Sequence, residues 1–178
     1  MDWNKAKSIL IWALLITDLI LAGVYISGTT KAYGTGKTQA EDCALYFEQR
    51  GVEINAELPF KPKKLAVLKV AFSEGPESDQ FGRTEYKGTA LEIIGAKADS
   101  IAKIERGKTR IQTLPASSAL LKLLPRILED GQQDVQDIEL IYYIDRSEYK
   151  GSGGEDTALI YWKITTESKV YYSPAYQE

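Results

Sequence analysis

Histidine is absent from this 178-residue chain, cysteine and methionine occur once each, and proline six times. Without imidazole there is no Ser-His-Asp or Cys-His catalysis, no histidine-containing zinc site and no imidazole pH switch. The one thiol, Cys43, excludes a disulfide within the chain and any cluster of thiolate ligands, so packing must hold the fold together. An excess of positive charge is missing too: 22 bases face 25 acids, a net of -3. The first 37 residues carry four lysines against two aspartates and the rest is net acidic, which argues against nucleic-acid binding by a basic groove. What is present is globular in character. Hydrophobic residues make up 44% and charged residues 26%, over a length suited to one domain with a real core.

The longest apolar run, residues 8–26 (SILIWALLITDLILAGVYI), has Asp18 as its only ionisable member. A helix of that length covers about 28 Å, close to the ~30 Å hydrocarbon core of a bilayer. Its Leu, Ile and Val residues outweigh the ~2.5 to 3.5 kcal/mol expected for one aspartate at mid-helix, so insertion is favoured. Lys5 and Lys7 before the run place the N-terminus in the cytoplasm, and Trp3 and Tyr25 fall where interfacial aromatics sit. A cleaved signal peptide is the rival, but no A-x-A site follows the run. The expected organisation is a cytoplasmic start at 1–7, a transmembrane helix at 8–26, a Gly, Ser and Thr-rich tether at 27–37, and an extracytoplasmic domain at 38–178. Within the span, Ala13 with Thr17 and Gly23 with Ser27 are small residues four apart that let a second helix approach, and Asp18 is costly enough at that depth to suggest a partner.

The outer part predicts an α+β fold of helices packed on antiparallel sheet, with the option of two similar helix-plus-sheet halves. Thr38 and Glu41 fit a capping box opening a helix that stops at Gly51, with Cys43, Ala44, Leu45 and Phe47 on its buried side. A second helix is expected over 116–130, capped by Ser117 or Ser118, stopped by Gly131 and kinked or divided at Pro125. Strands are expected over 64–72, 84–94, 100–106, 109–114, 138–145, 157–166 and 169–173, the middle ones as an antiparallel meander with turns at 95–99 and at Arg106-Gly107-Lys108.

Candidate chemistry thins out on inspection. Gly34-Thr35-Gly36-Lys37-Thr38 resembles the end of a phosphate-binding loop, but the glycine required five residues before Gly36 is Lys31. The adjacent acids Glu41-Asp42, Glu129-Asp130 and Glu155-Asp156 lie at expected helix ends or in a loop, where solvated charge explains them, and the calcium-loop order is missing. No catalytic residue, metal ligand or cofactor site is therefore expected. Aromatic residues crowd the C-terminal third: Tyr142, Tyr143, Tyr149, Tyr161, Trp162, Tyr171, Tyr172 and Tyr176. One face of a sheet is core, so about half of these should form an exposed tyrosine face suited to protein recognition. Tyr143, Tyr161 and Tyr171 are the expected partner surface.

Three segments carry a resemblance. Met1-Asp2-Trp3-Asn4-Lys5-Ala6-Lys7-Ser8-Ile9, running straight into a single span, resembles the opening of the YycI (WalI) family. Leu58-Pro59 and Pro62-Lys63-Lys64 before a strand are similar to that family's next recognisable stretch, and the hairpin from Tyr161-Trp162-Lys163-Ile164 to Lys169-Val170-Tyr171-Tyr172 to its C-terminal end. The same hairpin is similar to PepSY-type modules. The resemblance implies a non-enzymatic, membrane-anchored regulator of the WalK-WalR cell-wall two-component system of Gram-positive bacteria. It also implies contact with a WalK-like sensor histidine kinase and a YycH-like companion, through the membrane helix and an extracellular domain. The rival expectation is a PepSY-like outer module that binds or inhibits an envelope peptidase or wall enzyme.

Overall fold

A computed structural model describes residues 17–18, 37–75, 77, 79–147 and 154–177. The apolar run beyond Thr17 and Asp18, with Ala13 and Gly23, and the tether up to residue 36 lie outside the described residues; Thr17 and Asp18 themselves are helical and exposed. No helix among the described residues is long and apolar enough to cross a membrane. The chain divides into two units, Met1–Thr38 and Gln39–Glu178, and every strand among the described residues belongs to the second.

That second unit is α+β. Helix α1 covers 37–48, and α2 Ala116–Glu129. The strands are β1 Glu53–Ile54, β2 Lys64–Phe72, β3 Phe81–Tyr86, β4 Thr89–Ile94, β5 Ile101–Gln112, β6 Asp134–Val135, β7 Asp137–Asp145, β8 Gly154–Thr165 and β9 Val170–Pro174. Seven of them form one curled sheet in the order β3-β4-β7-β8-β2-β5, with β9 also on β8. Every pairing is antiparallel except β4 with β7. β1 and β6 form a separate two-stranded parallel pair, Glu53 opposite Asp134 and Ile54 opposite Val135.

The helices are amphipathic for the usual reason. In α1, Ala40, Cys43 and Phe47 recur at a spacing of three and four and are buried, which puts one stripe against the core. Leu45, expected in that stripe, is 56% exposed because it falls on the other side of the turn. Thr38 lies inside the helix rather than at its cap. Both helices end alike: Gly51 (φ 78°) and Gly131 (φ 69°) take the left-handed conformation, the Val52 amide reaches the Phe47 carbonyl at 3.1 Å, and the Gln132 amide the Ile127 carbonyl at 3.0 Å. Each turn then feeds one strand of the β1–β6 pair. The expected likeness of the two halves reaches that far and no further, since the first half inserts the β3–β4 hairpin between its partners β2 and β5, whereas β7, β8 and β9 pair in chain order. The cap of α2 is Pro115, not Ser117 or Ser118, and Ser117 is buried. Pro125 sits within α2 without dividing it; the carbonyl it deprives of a partner belongs to Leu121, which is 42% exposed and open to water.

Period-two alternation drives the sheet. Along β8, Ala158, Ile160, Trp162 and Ile164 are buried, while Leu159, Tyr161, Lys163 and Thr165 are only half-buried. Each fully buried isoleucine contributes about 1.5–3 kcal/mol, so the inner face of β8 with Leu120 and Ile127 of α2 is a substantial part of the core. The indole of Trp162 donates to the Leu114 carbonyl at 3.0 Å, satisfying its one polar atom. The meander expected over 84–114 is corrected in three places. Residues 95–99 close no hairpin, because β4 pairs with β3 and β7 while β5 pairs with β2. Residues 84–94 contain a turn, where Lys87 (φ 51°) and Gly88 (φ 79°) close the β3–β4 hairpin. Arg106-Gly107-Lys108 is no turn: β5 runs straight through as one strand, and its pairing with β2 slips between Ala66 and Leu68. Gly107 is required there because a Cβ would meet the Val67 carbonyl oxygen at 2.9 Å.

Candidate functional site

The helices pack on one face of the β4–β7–β8–β9 region, and the opposite face holds a cluster of tyrosines around a buried carboxylate. Its placement follows from register. Glu92 on β4 lies opposite Arg83 on β3 and beside Tyr143 on β7, and Lys163 on β8 lies opposite Glu139 on β7 and Tyr172 on β9. Cross-strand neighbours share a face, so these side chains converge.

Glu92 has no exposed surface. Lys163 Nζ lies 2.5 Å from its Oε1, Arg83 Nη1 3.3 Å from the same oxygen, and the Tyr172 hydroxyl donates to Oε2 at 2.9 Å. A buried carboxylate is tolerated only when paired and hydrogen-bonded, and here both oxygens are engaged. Arg83 also holds Glu139 at 2.8 Å, so one guanidinium ties β3 to two neighbouring strands. The Tyr172 phenol is pushed well above its ordinary range, first by burial and then by its bond to Glu92.

Tyrosine rings build out from this anchor. Tyr143 stacks on Tyr172 with centroids 4.7 Å apart and an interplanar angle of 29°, and meets Tyr161 at 4.9 Å. Tyr176 meets Tyr161 edge-on at 6.4 Å. Burial and the charge of Asp145, to which the Tyr143 hydroxyl donates at 3.4 Å, raise the Tyr143 phenol to about 12. These rings are half-buried and present rigid aromatic area with hydroxyl tips.

Of the residues expected on the partner surface, Tyr143 and Tyr161 are therefore brought together. Tyr171 is a correction: it is 4% exposed and on the helix side, where its hydroxyl donates to Asp130 at 2.8 Å beyond the end of α2. Burial, then Asp130, raises its phenol to about 12. Tyr172 takes its place, because pairing sets Tyr171 opposite Ile164 and Tyr172 opposite Lys163. No local pattern in the sequence singles out Glu92, which sits in TALEII with apolar neighbours on both sides.

Of the acidic pairs, Glu41 and Asp42 are exposed on α1, while Glu129-Asp130 and Glu155-Asp156 each supply one structural carboxylate. Asp130 accepts from Lys169 at 2.6 Å, and Asp156 pairs at 2.8 Å with Arg146, whose guanidinium is buried over the Phe72 ring. Glu155 and Asp156 belong to β8 rather than to a loop. No group of three or more metal-ligating side chains gathers among the described residues. Lys37 and Thr38 lie in α1, and the rest of the glycine-rich segment before them lies outside the described residues. No family model, curated protein or solved structure matches this chain.

Proposed function

We propose that this chain is a non-enzymatic, membrane-anchored regulator of a cell-wall-sensing histidine kinase. The apolar run 8–26 anchors it and packs against the kinase through Ala13, Thr17, Asp18 and Gly23, with the N-terminus cytoplasmic and the outer domain extracellular. The outer domain docks on the kinase or a YycH-like companion. The observation that carries the docking role is the tyrosine face: Tyr143, Tyr161, Tyr172 and Tyr176 are held in contact, uncovered by either helix, on a base fixed by Glu92. Pre-ordered rings lose little entropy on binding, which is why tyrosine is enriched at interface centres. The N-terminal resemblance supports the choice of partner. Such a regulator acts by preferring one signalling state of the kinase, since equal affinity for both would shift nothing.

The test is photocrosslinking in cells from positions 161 and 176, with position 18 probed in parallel. The expected adducts from the first two contain the kinase or the companion, and from the third a kinase helix. Adducts from 161 and 176 with an envelope peptidase would replace this reading with an inhibitor of that enzyme. An Asp18→Leu variant that inserts normally is expected to change kinase output; unchanged output and unchanged co-purification would remove Asp18 from the contact.

A further inference from the structure

The sheet comes apart along one edge of β2. β2 pairs with β8 only from Leu68 to Phe72, and over Tyr161–Thr165 β8 takes β9 as a neighbour. Residues 64–67 are therefore left without a strand on their β8-facing edge among the described residues, although Lys64, Leu65 and Ala66 pair with β5 on the other. One bond bridges the gap: the Tyr142 hydroxyl donates to the Ala66 carbonyl at 3.0 Å. Cavities of about 160 and 270 Å³ open along it and share Leu65 and Thr89. Leu65, Leu68, Tyr86 and Leu140 make the walls apolar, and Lys63, Lys64, Lys87 and Arg106 stand exposed around the mouth. None of these four cations forms an ion pair among the described residues. The one carboxylate among the described residues of either lining, Glu139, is held by Arg83.

We infer that this cleft binds an extended acidic peptide segment. A strand edge without a partner offers backbone hydrogen bonds to an incoming chain, and alternate side chains of that chain fall into the cavity and onto its rim. The four cations, in a chain whose net charge is -3, select for carboxylates and speed encounter with them. A second copy of this chain is a poor occupant, because its own β2 edge brings the same lysines. The site is separate from the tyrosine face and does not depend on the kinase reading.

The test measures fluorescence polarisation of a labelled hexapeptide alternating glutamate and valine with the purified full-length chain. A lysine-valine counterpart and dodecanoate serve as competitors. The acidic peptide is expected to bind, to weaken as salt rises, and to lose roughly tenfold in affinity with Lys64→Glu combined with Arg106→Glu, and about threefold with Lys87→Glu alone. All three positions are exposed, so unchanged thermal melting should accompany the loss. No binding of the acidic peptide, equal binding of both peptides, or affinity unmoved by the charge reversals would overturn the inference. Displacement by an equal concentration of dodecanoate would overturn it as well, assigning the cleft to a lipid carboxylate.

Discussion

The two faces of the β4–β7–β8–β9 region are closed by different physics. On the inner face Ile160, Trp162 and Ile164 meet Leu120 and Ile127 of α2, and apolar area removed from water does the stabilising. On the outer face no helix arrives among the described residues, yet Glu92 and Ile141 are as inaccessible as anything in the core. There the side chains close over one another: Arg83, Lys163 and Tyr172 lid the carboxylate, and Tyr143 stacks beside them. The inner face is insensitive to direction, whereas the outer one depends on paired charges and ring geometry. A surface of that second kind stays ordered without being hidden, which is what a recognition face requires.

Substitutions can break this contrast. The largest effect belongs inside: Trp162→Ala removes a buried indole and orphans the Leu114 carbonyl, and should cost about 4 kcal/mol of stability in urea titration. Glu92→Ala should cost about 3 kcal/mol, because Lys163 is left 13% exposed without its partner. Glu92→Leu combined with Lys163→Met should recover most of that loss, as replacement of a buried pair by packed apolar groups usually does. If the double variant is no better than Glu92→Ala, the outer face is specified by charge and not merely tolerant of it. Gly107→Ala should cost about 1–3 kcal/mol by forcing a Cβ into Val67 and should loosen β5 from β2 in hydrogen exchange.

The smallest effect is one of pH. Asp130 is held below the usual carboxylate range by its bonds from Lys169 and then Tyr171. Its contribution is present above the unfolded value of about 3.9 and is lost as pH falls through the lowered folded value. Thermal melts of Asp130→Asn should therefore lose part of the acid dependence below pH ~4 and converge with the parent at the acid end. Identical curves would show that the contact with Lys169 and Tyr171 is idle.

Much of the architecture was legible where periodicity was strong. The bounds of β2 and the alternation of Ala158, Ile160, Trp162 and Ile164 follow from the residues themselves. The failures fall where a local signal has two physical meanings. A glycine between charged residues, as in Arg106-Gly107-Lys108, serves a turn or a bulge equally well, and only the approach of Val67 decides. Lys87-Gly88 has the turn chemistry of a hairpin, but the strand formers on both sides of it read as one segment. Adjacent tyrosines must point to opposite faces, so one of Tyr171 and Tyr172 was bound to be buried; which one depends on register with β8, a non-local property. The burial of Glu92 is non-local too, since its partners come from β3, β8 and β9. The cleft beside β2 depends on where β8 changes neighbours, which no stretch of sequence announces.

Cys43 gives the experimenter a practical advantage. Its sulfur is packed 3.9 Å from the Ser117 carbonyl, and burial lifts the thiol to about 11. At neutral pH the fraction ionised is on the order of one part in ten thousand, so maleimide chemistry should pass it by in the folded chain. A cysteine introduced at an exposed position would then be the only site to take a dye or spin label, with no native residue removed first.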